Sequence, residues 1–288
     1  MSGHLAIFQG HLVSLSFFLF SLIQMSAFST IFERVPARCY FVDRRCISSG
    51  GVQVPVPFHR PAFVRVDDPL TDFNASLSDT ILGTEEQQSW FEDLDSVEWP
   101  KRQSITMFGK EVELPRECLA FIDTGSDESE LDSDSSMYRF PGSDTCATMS
   151  MNTKLRDLTR RVEQAFGLPA HSFNFCLINR YADKQSTITA HRDKTDTLEP
   201  NTPIVTLSIG ATREFVFALH PSGARRIGYK KVTEAKKAGV CVRHKFLVQS
   251  GDAIMFSQDV NSEWTHSIPR SKVDVGVRFS LTFRKVVI

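Results

Sequence analysis

The strongest periodic signal in the chain lies just past its midpoint. From Asn152 onward, Leu155, Leu158, Val162 and Phe166 recur at spacings of three and four, and Gly167, Leu168 and Pro169 end the run. Apolar side chains at that spacing form one stripe of a 3.6-residue helix, so the segment predicts a single amphipathic helix. The pattern then shortens. Phe173–Ile178, Pro203–Ile209, Glu214–Leu219, Lys245–Val248, Ala253–Phe256 and Val277–Lys285 are β-type runs separated by turn formers. Many short strands without intervening helices point to an all-β sandwich or jelly roll. No internal repeat is visible in the 288 residues.

The upstream half is patterned less regularly. Residues 12–32 carry no charged side chain, which is long enough to span a bilayer, although Ser and Thr are frequent there. The first Lys or Arg is Arg34, so the basic start of a secretory signal is lacking. Arg34, Arg38, Arg44 and Arg45 follow, and small residues precede Phe28, a layout that resembles a two-part plastid presequence. The alternative is that translation starts at Met25. The compartment therefore stays open between the nucleus and an organelle, plastid or mitochondrion. Residues 1–60 are set aside from the fold as a leader. Residues 61–122 mix short apolar runs with turn formers, and 123–136 are almost all acidic or small and polar. Such a stretch buries too little apolar surface to offset its ordering entropy, so a disordered surface loop is expected there.

Composition alters this picture in two places. Hydrophobic content of 41% and charged content of 23% are ordinary for a globular protein. The net charge of −1 conceals an asymmetry: residues 154–288 carry 22 Lys and Arg against 12 Asp and Glu, leaving 11 against 22 upstream. A basic C-terminal half suits a polyanionic partner such as nucleic acid, and equally a solvated surface. The six cysteines are scattered with no C-x-x-C pair, which argues against a zinc site or a compact disulfide framework and for a reducing compartment.

Candidate chemistry gathers around two segments. His191 and Asp193 follow a strand-like stretch, 186–190, and residues two apart on a strand share a face, so both side chains can reach one metal ion. The third ligand must come from elsewhere, and His266 is the best candidate. Two histidines and a carboxylate leave three coordination positions open, which suits non-haem iron(II). The second segment runs from Arg278 to Arg284. Alternation puts Arg278, Ser280, Thr282 and Arg284 on one face and Phe279, Leu281 and Phe283 on the other. The phenylalanines and leucine read as core. Two arginines turned into a sandwich need an anionic partner, and a dicarboxylate would pair with them bidentately.

In this order, Asn179 and Tyr181, His191 and Asp193, the run Pro203–Gly210, His266, and Arg278 through Arg284 resemble the AlkB family of iron(II)/2-oxoglutarate dioxygenases, over roughly residues 100–288. The resemblance implies a mainly β fold with flanking helices, a double-stranded β-helix or jelly roll at 151–288 behind a nucleotide-recognition lid at 61–150, with iron(II), 2-oxoglutarate and O2 as cofactor and cosubstrates. It implies that Asn179 and Tyr181 hydrogen-bond 2-oxoglutarate, that Arg278 pairs with its distal carboxylate, and that Ser280, Thr282 and Arg284 complete that side. Ser280 stands where the family usually has Asn. Likeness is greatest to a mammalian member that repairs duplex DNA. It implies that Phe108, Gly109, Lys110 and Arg116 form a DNA-facing hairpin with Phe108 as a wedge, that Tyr138 and Phe140 line the base pocket, and that Arg270 and Lys272 touch DNA. Lys194 and Thr195 replace two acidic residues that hold the flipped base in that member. The implied activity is oxidative demethylation of 1-methyladenine and 3-methylcytosine in DNA by a monomer. An RNA or single-strand demethylase, and a catalytically silent nucleic-acid binder, are the alternatives.

Overall fold

The computed structural model describes residues 63–68, 73–79, 81–102, 104–107, 110–123, 137–139, 145–237 and 243–287. The leader, Phe108, Gly109, Phe140 and positions 124–136 of the acidic stretch lie outside them. In chain order the first half gives β1 (Phe63–Asp68), β2 (Phe73–Ser78), α1 (Thr84–Ser96), β3 (Ser104–Met107), β4 (Lys110–Glu113), β5 (Glu117–Ile122), β6 (Met137–Arg139) and β7 (Thr145–Ser150). Next come α2 (Thr153–Ala165), β8 (Phe175–Tyr181), β9 (Ile188–His191), β10 (Ile204–Gly210) and β11 (Arg213–Leu219). The chain finishes with α3 (Pro221–Ile227), α4 (Tyr229–Lys237), β12 (Arg243–Val248), β13 (Ala253–Phe256), α5 (Gln258–Glu263), β14 (Trp264–Ile268) and β15 (Arg278–Arg284).

These strands make a jelly roll. The larger sheet runs β1-β2-β13-β10-β15-β8-β5-β7-β6, the smaller one β12-β11-β14-β9, and β3 pairs with β4 as a separate hairpin. Residues 61–150 supply strands to both edges of the larger sheet.

Period-two alternation assigns the faces of the larger sheet. On β8, Phe175, Leu177, Asn179 and Tyr181 point between the sheets, as do Thr206 and Ser208 on β10 and the four polar positions of β15. The alternate residues, Cys176, Ile178, Val205, Leu207, Ile209, Phe279, Leu281 and Phe283, pack outward against Trp90 and Leu94 of α1 and Leu155, Leu158 and Val162 of α2. Both faces of the sheet are therefore covered, which is why β10 and β15 are buried almost throughout. Each fully buried Leu or Phe on that outer face contributes on the order of 2 kcal/mol.

The predicted helix forms as α2. Asn152 caps it, its side chain accepting from Leu155 N at 2.9 Å. The flanking helices expected of this mainly β fold include three that the apolar pattern did not announce. α3 and α4 fill the connection from β11 to β12, and α5 precedes β14. Their sequences carry no sustained apolar stripe, because only short patches of them are covered, so periodicity could not reveal them. α3 starts instead from local capping, with His220 Nδ1 accepting from Ser222 N at 3.1 Å and Pro221 in the first turn.

Candidate metal centre and adjoining cavity

The smaller sheet brings the first two candidate ligands together by register. β9 pairs antiparallel with β14 so that His191 lies opposite His266, and their rings stand 4.3 Å apart between centroids. Asp193 follows two residues beyond His191. Its Oδ1 lies 3.5 Å from His191 Nε2 and 3.7 Å from His266 Nε2, and candidate ligand atoms of all three residues lie within 4.8 Å of one another. Among the described residues no other trio of His, Cys, Asp and Glu is grouped this way.

The surroundings prepare each of the three. His191 Nδ1 sits 2.8 Å from the Thr189 carbonyl, which can only accept, so this contact has Nδ1 donating and turns Nε2 toward Asp193. His266 is buried between Phe215, whose ring it parallels at 5.9 Å, and Phe256 at 5.3 Å. Burial, with His191 adding to it, pushes the His266 imidazole down to about 3, so it is neutral and able to coordinate. Burial works to raise the Asp193 carboxyl, but the Arg284 guanidinium and both imidazoles outweigh it and hold the group well below the usual carboxylate range. A buried neutral imidazole, a second imidazole beside it and an ionised carboxylate form the donor set that a divalent ion such as iron(II) takes.

A cavity of about 330 Å³ opens beside this cluster. Asn179, Tyr181, Thr206, Ser280, Thr282 and Arg284 line one wall, and Lys194 stands exposed at its rim. The register of three strands explains the grouping: Ser280 of β15 is opposite Asn179 of β8 and Ser208 of β10, and Arg278 is opposite Tyr181. Ser280 Oγ and Thr206 Oγ1 are 2.8 Å apart. Arg278 is 0% exposed. Its Nη2 donates to Ser208 Oγ at 2.7 Å and its guanidinium lies 5.2 Å from the Tyr181 ring centroid, while Nε and Nη1 are buried without a hydrogen-bond partner. Burial lowers its pKa to about 10, which still leaves it charged. A buried cation with two donors unused is what an anionic ligand with two acceptor oxygens would satisfy.

The residues expected to face nucleic acid are placed differently from one another. β3 and β4 pair as a hairpin, with Met107 opposite Lys110; Phe108 and Gly109, expected to face DNA, fall outside the described residues. Lys110 is exposed. Arg116 is only 7% exposed and turned into the cavity, its Nε donating to Asn179 Oδ1 at 2.9 Å. Arg270 and Lys272 are exposed on the connection between β14 and β15. Tyr138 lies in β6, opposite Cys146 of β7.

Sequence reasoning passed over two residues that hold this site together. Arg213 is buried and spans three carbonyls, of Asp183, Ser186 and Pro269, tying the approach to β9 to the exit of β14. Asn261 bonds the Asp193 main chain. Neither has a spacing or neighbour in sequence that marks it, since the partners are main-chain groups distant along the chain.

Comparison with known proteins agrees with this geometry. The family model described as the 2OG-Fe(II) oxygenase superfamily matches residues 74–284. DNA oxidative demethylase ALKBH2 of Homo sapiens is 30% identical over 184 residues, covering 64% of this chain and 61% of that protein. ALKBH2 of Bos taurus is 31% identical over 189 residues, covering 64% and 57%. Alpha-ketoglutarate-dependent dioxygenase alkB homolog 3 of Homo sapiens is 29% identical over 132 residues, covering 46% and 42%. The match to the human ALKBH2 protein thus spans about three-fifths of its length.

Proposed function

The chain belongs to the 2OG-Fe(II) oxygenase superfamily, and from that premise we propose that it is an oxidative demethylase of N-alkylated nucleobases in DNA, 1-methyladenine and 3-methylcytosine among them. The observation that carries the reading is a juxtaposition. The His191, Asp193 and His266 cluster and the buried Arg278, with two donors unused, stand on facing sheets of one jelly roll. Kinship with the ALKBH2 and alkB homolog 3 proteins supports the choice of a nucleic-acid substrate.

In this reading His191, Asp193 and His266 hold iron(II), and Arg278 takes the distal carboxylate of 2-oxoglutarate, with Asn179, Tyr181, Ser280, Thr282 and Arg284 around it. Iron(II), 2-oxoglutarate and O2 together supply oxidation of an N-methyl group, with succinate and CO2 as co-products and formaldehyde released from the hydroxylated methyl. The chain's own part is positioning. Arg284 keeps Asp193 ionised and fixes one of its oxygens. Phe215 and Phe256 hold His266 in a dry wall. Exposed Lys110 of the β3–β4 hairpin, with exposed Arg270 and Lys272, suits a duplex backbone, and Phe108 is the wedge this reading calls for. A monomer suffices for all of these roles.

The test is formaldehyde release by the full chain, with iron(II) and 2-oxoglutarate, from methylated duplex and single-stranded oligonucleotides of DNA and RNA. Duplex DNA turnover is expected. Turnover of single strands or RNA alone would replace the duplex reading with its closest rival. Absence of iron-dependent succinate formation, with no change on Asp193→Ala, would leave only a nucleic-acid binder.

A further inference from the structure

Asp193 sits where the sheet gives out. β9 ends at His191, so the Asp193 main chain lies beyond the ladder that joins β9 to β14. A side chain meets it there. Asn261 Oδ1 accepts from the Asp193 N–H at 2.9 Å, and Asn261 Nδ2 donates to the Asp193 carbonyl at 2.9 Å. A carboxamide offers one acceptor and two donors on a rigid plane, so this single side chain makes the reciprocal pair of bonds that a residue on an adjacent antiparallel strand would make. It makes them in a dry setting, since Asn261 is 1% exposed.

The placement of Asn261 gives the clasp a consequence. It belongs to α5, which is capped by Ser257 and runs directly into β14, reaching His266 five residues later. Next to it, the Ser262 carbonyl accepts from Arg192 Nη1 at 2.8 Å. Arg192 and Asp193 are thus both fastened to the segment that leads into the other histidine. We propose that Asn261 is a positioning residue of the metal centre: it sets the distance and angle between the Asp193 carboxylate and His266 by holding the Asp193 main chain against α5. The inference rests on reading His191, Asp193 and His266 as metal ligands, because a clasp on Asp193 has this role only if its carboxylate coordinates.

Supporting hydrogen bonds of this kind are typically worth about 10–100-fold in metal affinity. The test is titration of the metal-free full chain with Co(II), followed by its visible d–d absorption, which reports both affinity and ligand geometry without turnover. Asn261→Ala is expected to bind Co(II) at least tenfold more weakly than the natural chain and with an altered d–d spectrum. Val260→Ala serves as the comparison, because Val260 is an equally buried neighbour on α5 that makes a cavity without touching the clasp. It is expected to lower the melting temperature and leave Co(II) affinity within twofold. Asn261→Asp keeps the side-chain shape and the acceptor for the Asp193 N–H but loses the donor to the carbonyl. A carboxylate so close to the site would by itself attract a cation, so weaker binding in this variant reports lost geometry; if Asn261→Ala does not fold, this variant decides alone. Co(II) affinity and spectrum unchanged in the Asn261 variants, or lowered no more than in Val260→Ala, would overturn the proposal. Failure of the natural chain to bind Co(II) would instead overturn the metal-site reading beneath it.

Discussion

Arg284 Nη2 donates to Asp193 Oδ2 at 2.7 Å, with only 6% of either side chain exposed. The two oxygens of this carboxylate are thereby divided, Oδ2 to the guanidinium and Oδ1 toward both imidazoles. The pair also ties β15 of the larger sheet to the segment just beyond β9 of the smaller.

Breaking that pair from one side should strand a buried charge. Arg284→Met is expected to lower the stability of the metal-free protein by about 3–5 kcal/mol. A divalent metal would restore part of the missing positive charge, so its addition should raise the melting temperature more in the variant than in the natural chain. Equal metal-induced shifts in the two proteins would show that Asp193 is not the shared partner.

Arg278 predicts the opposite balance. Its Nε and Nη1 are buried without partners, so the ligand-free protein already bears their desolvation cost. Arg278→Met should leave the ligand-free melting temperature unchanged or higher, while abolishing the stabilisation that 2-oxoglutarate gives the natural chain. Retention of a full 2-oxoglutarate shift in the variant would remove Arg278 from the cosubstrate site.

The buried imidazole predicts an acid-sensitive fold. His266 titrates near 3 in the folded protein, against about 6.5 when unfolded. Between those values the unfolded chain takes up a proton that the folded chain does not, so the contribution is complete above about pH 6.5 and is lost as pH falls toward 3. The slope approaches about 1.4 kcal/mol per pH unit. Asp193, also held low, adds to the loss only below the ordinary carboxylate range. Urea unfolding of the metal-free protein between pH 7 and 4 should show a shallower pH dependence in His266→Asn, and identical slopes would contradict it.

A backbone position tests how tightly the β10–β15 end beside Arg278 is set. Gly210 ends β10 at φ +90°, and a Cβ there would stand 2.5 Å from the Val277 carbonyl, immediately before Arg278. Gly210→Ala should therefore cost about 2–3 kcal/mol, from the left-handed conformation and the clash together. Chemical denaturation checks it. A loss below about 1 kcal/mol would mean that the β10–β15 end yields easily.

The fold class could be read from the chain because period two and period 3.6 are local properties. Runs such as Ile204–Gly210 and Arg278–Arg284 declare strands, and Leu155, Leu158 and Val162 declare α2, whatever they pack against. The candidate site was legible for a related reason. His191 and Asp193 are two apart in sequence, and Arg278 and Arg284 share a strand face, so their grouping follows from backbone geometry. α3, α4 and α5 were not legible, because short, mostly polar helices held by caps and single contacts leave no stripe.

The sequence by itself thus determined a set of short strands fit for a β-sandwich or jelly roll, and, from alternation along single segments, two adjoining candidate ligands and a row of inward polar groups. Only the tertiary structure decided that His266 stands opposite His191, that Arg284 rather than solvent meets Asp193, that Arg116 turns inward to Asn179, and that Asn261 clasps a main chain 68 residues away. Those pairings join segments through strand register and buried hydrogen bonds. Register is fixed by which apolar face must be covered, and that depends on every strand at once.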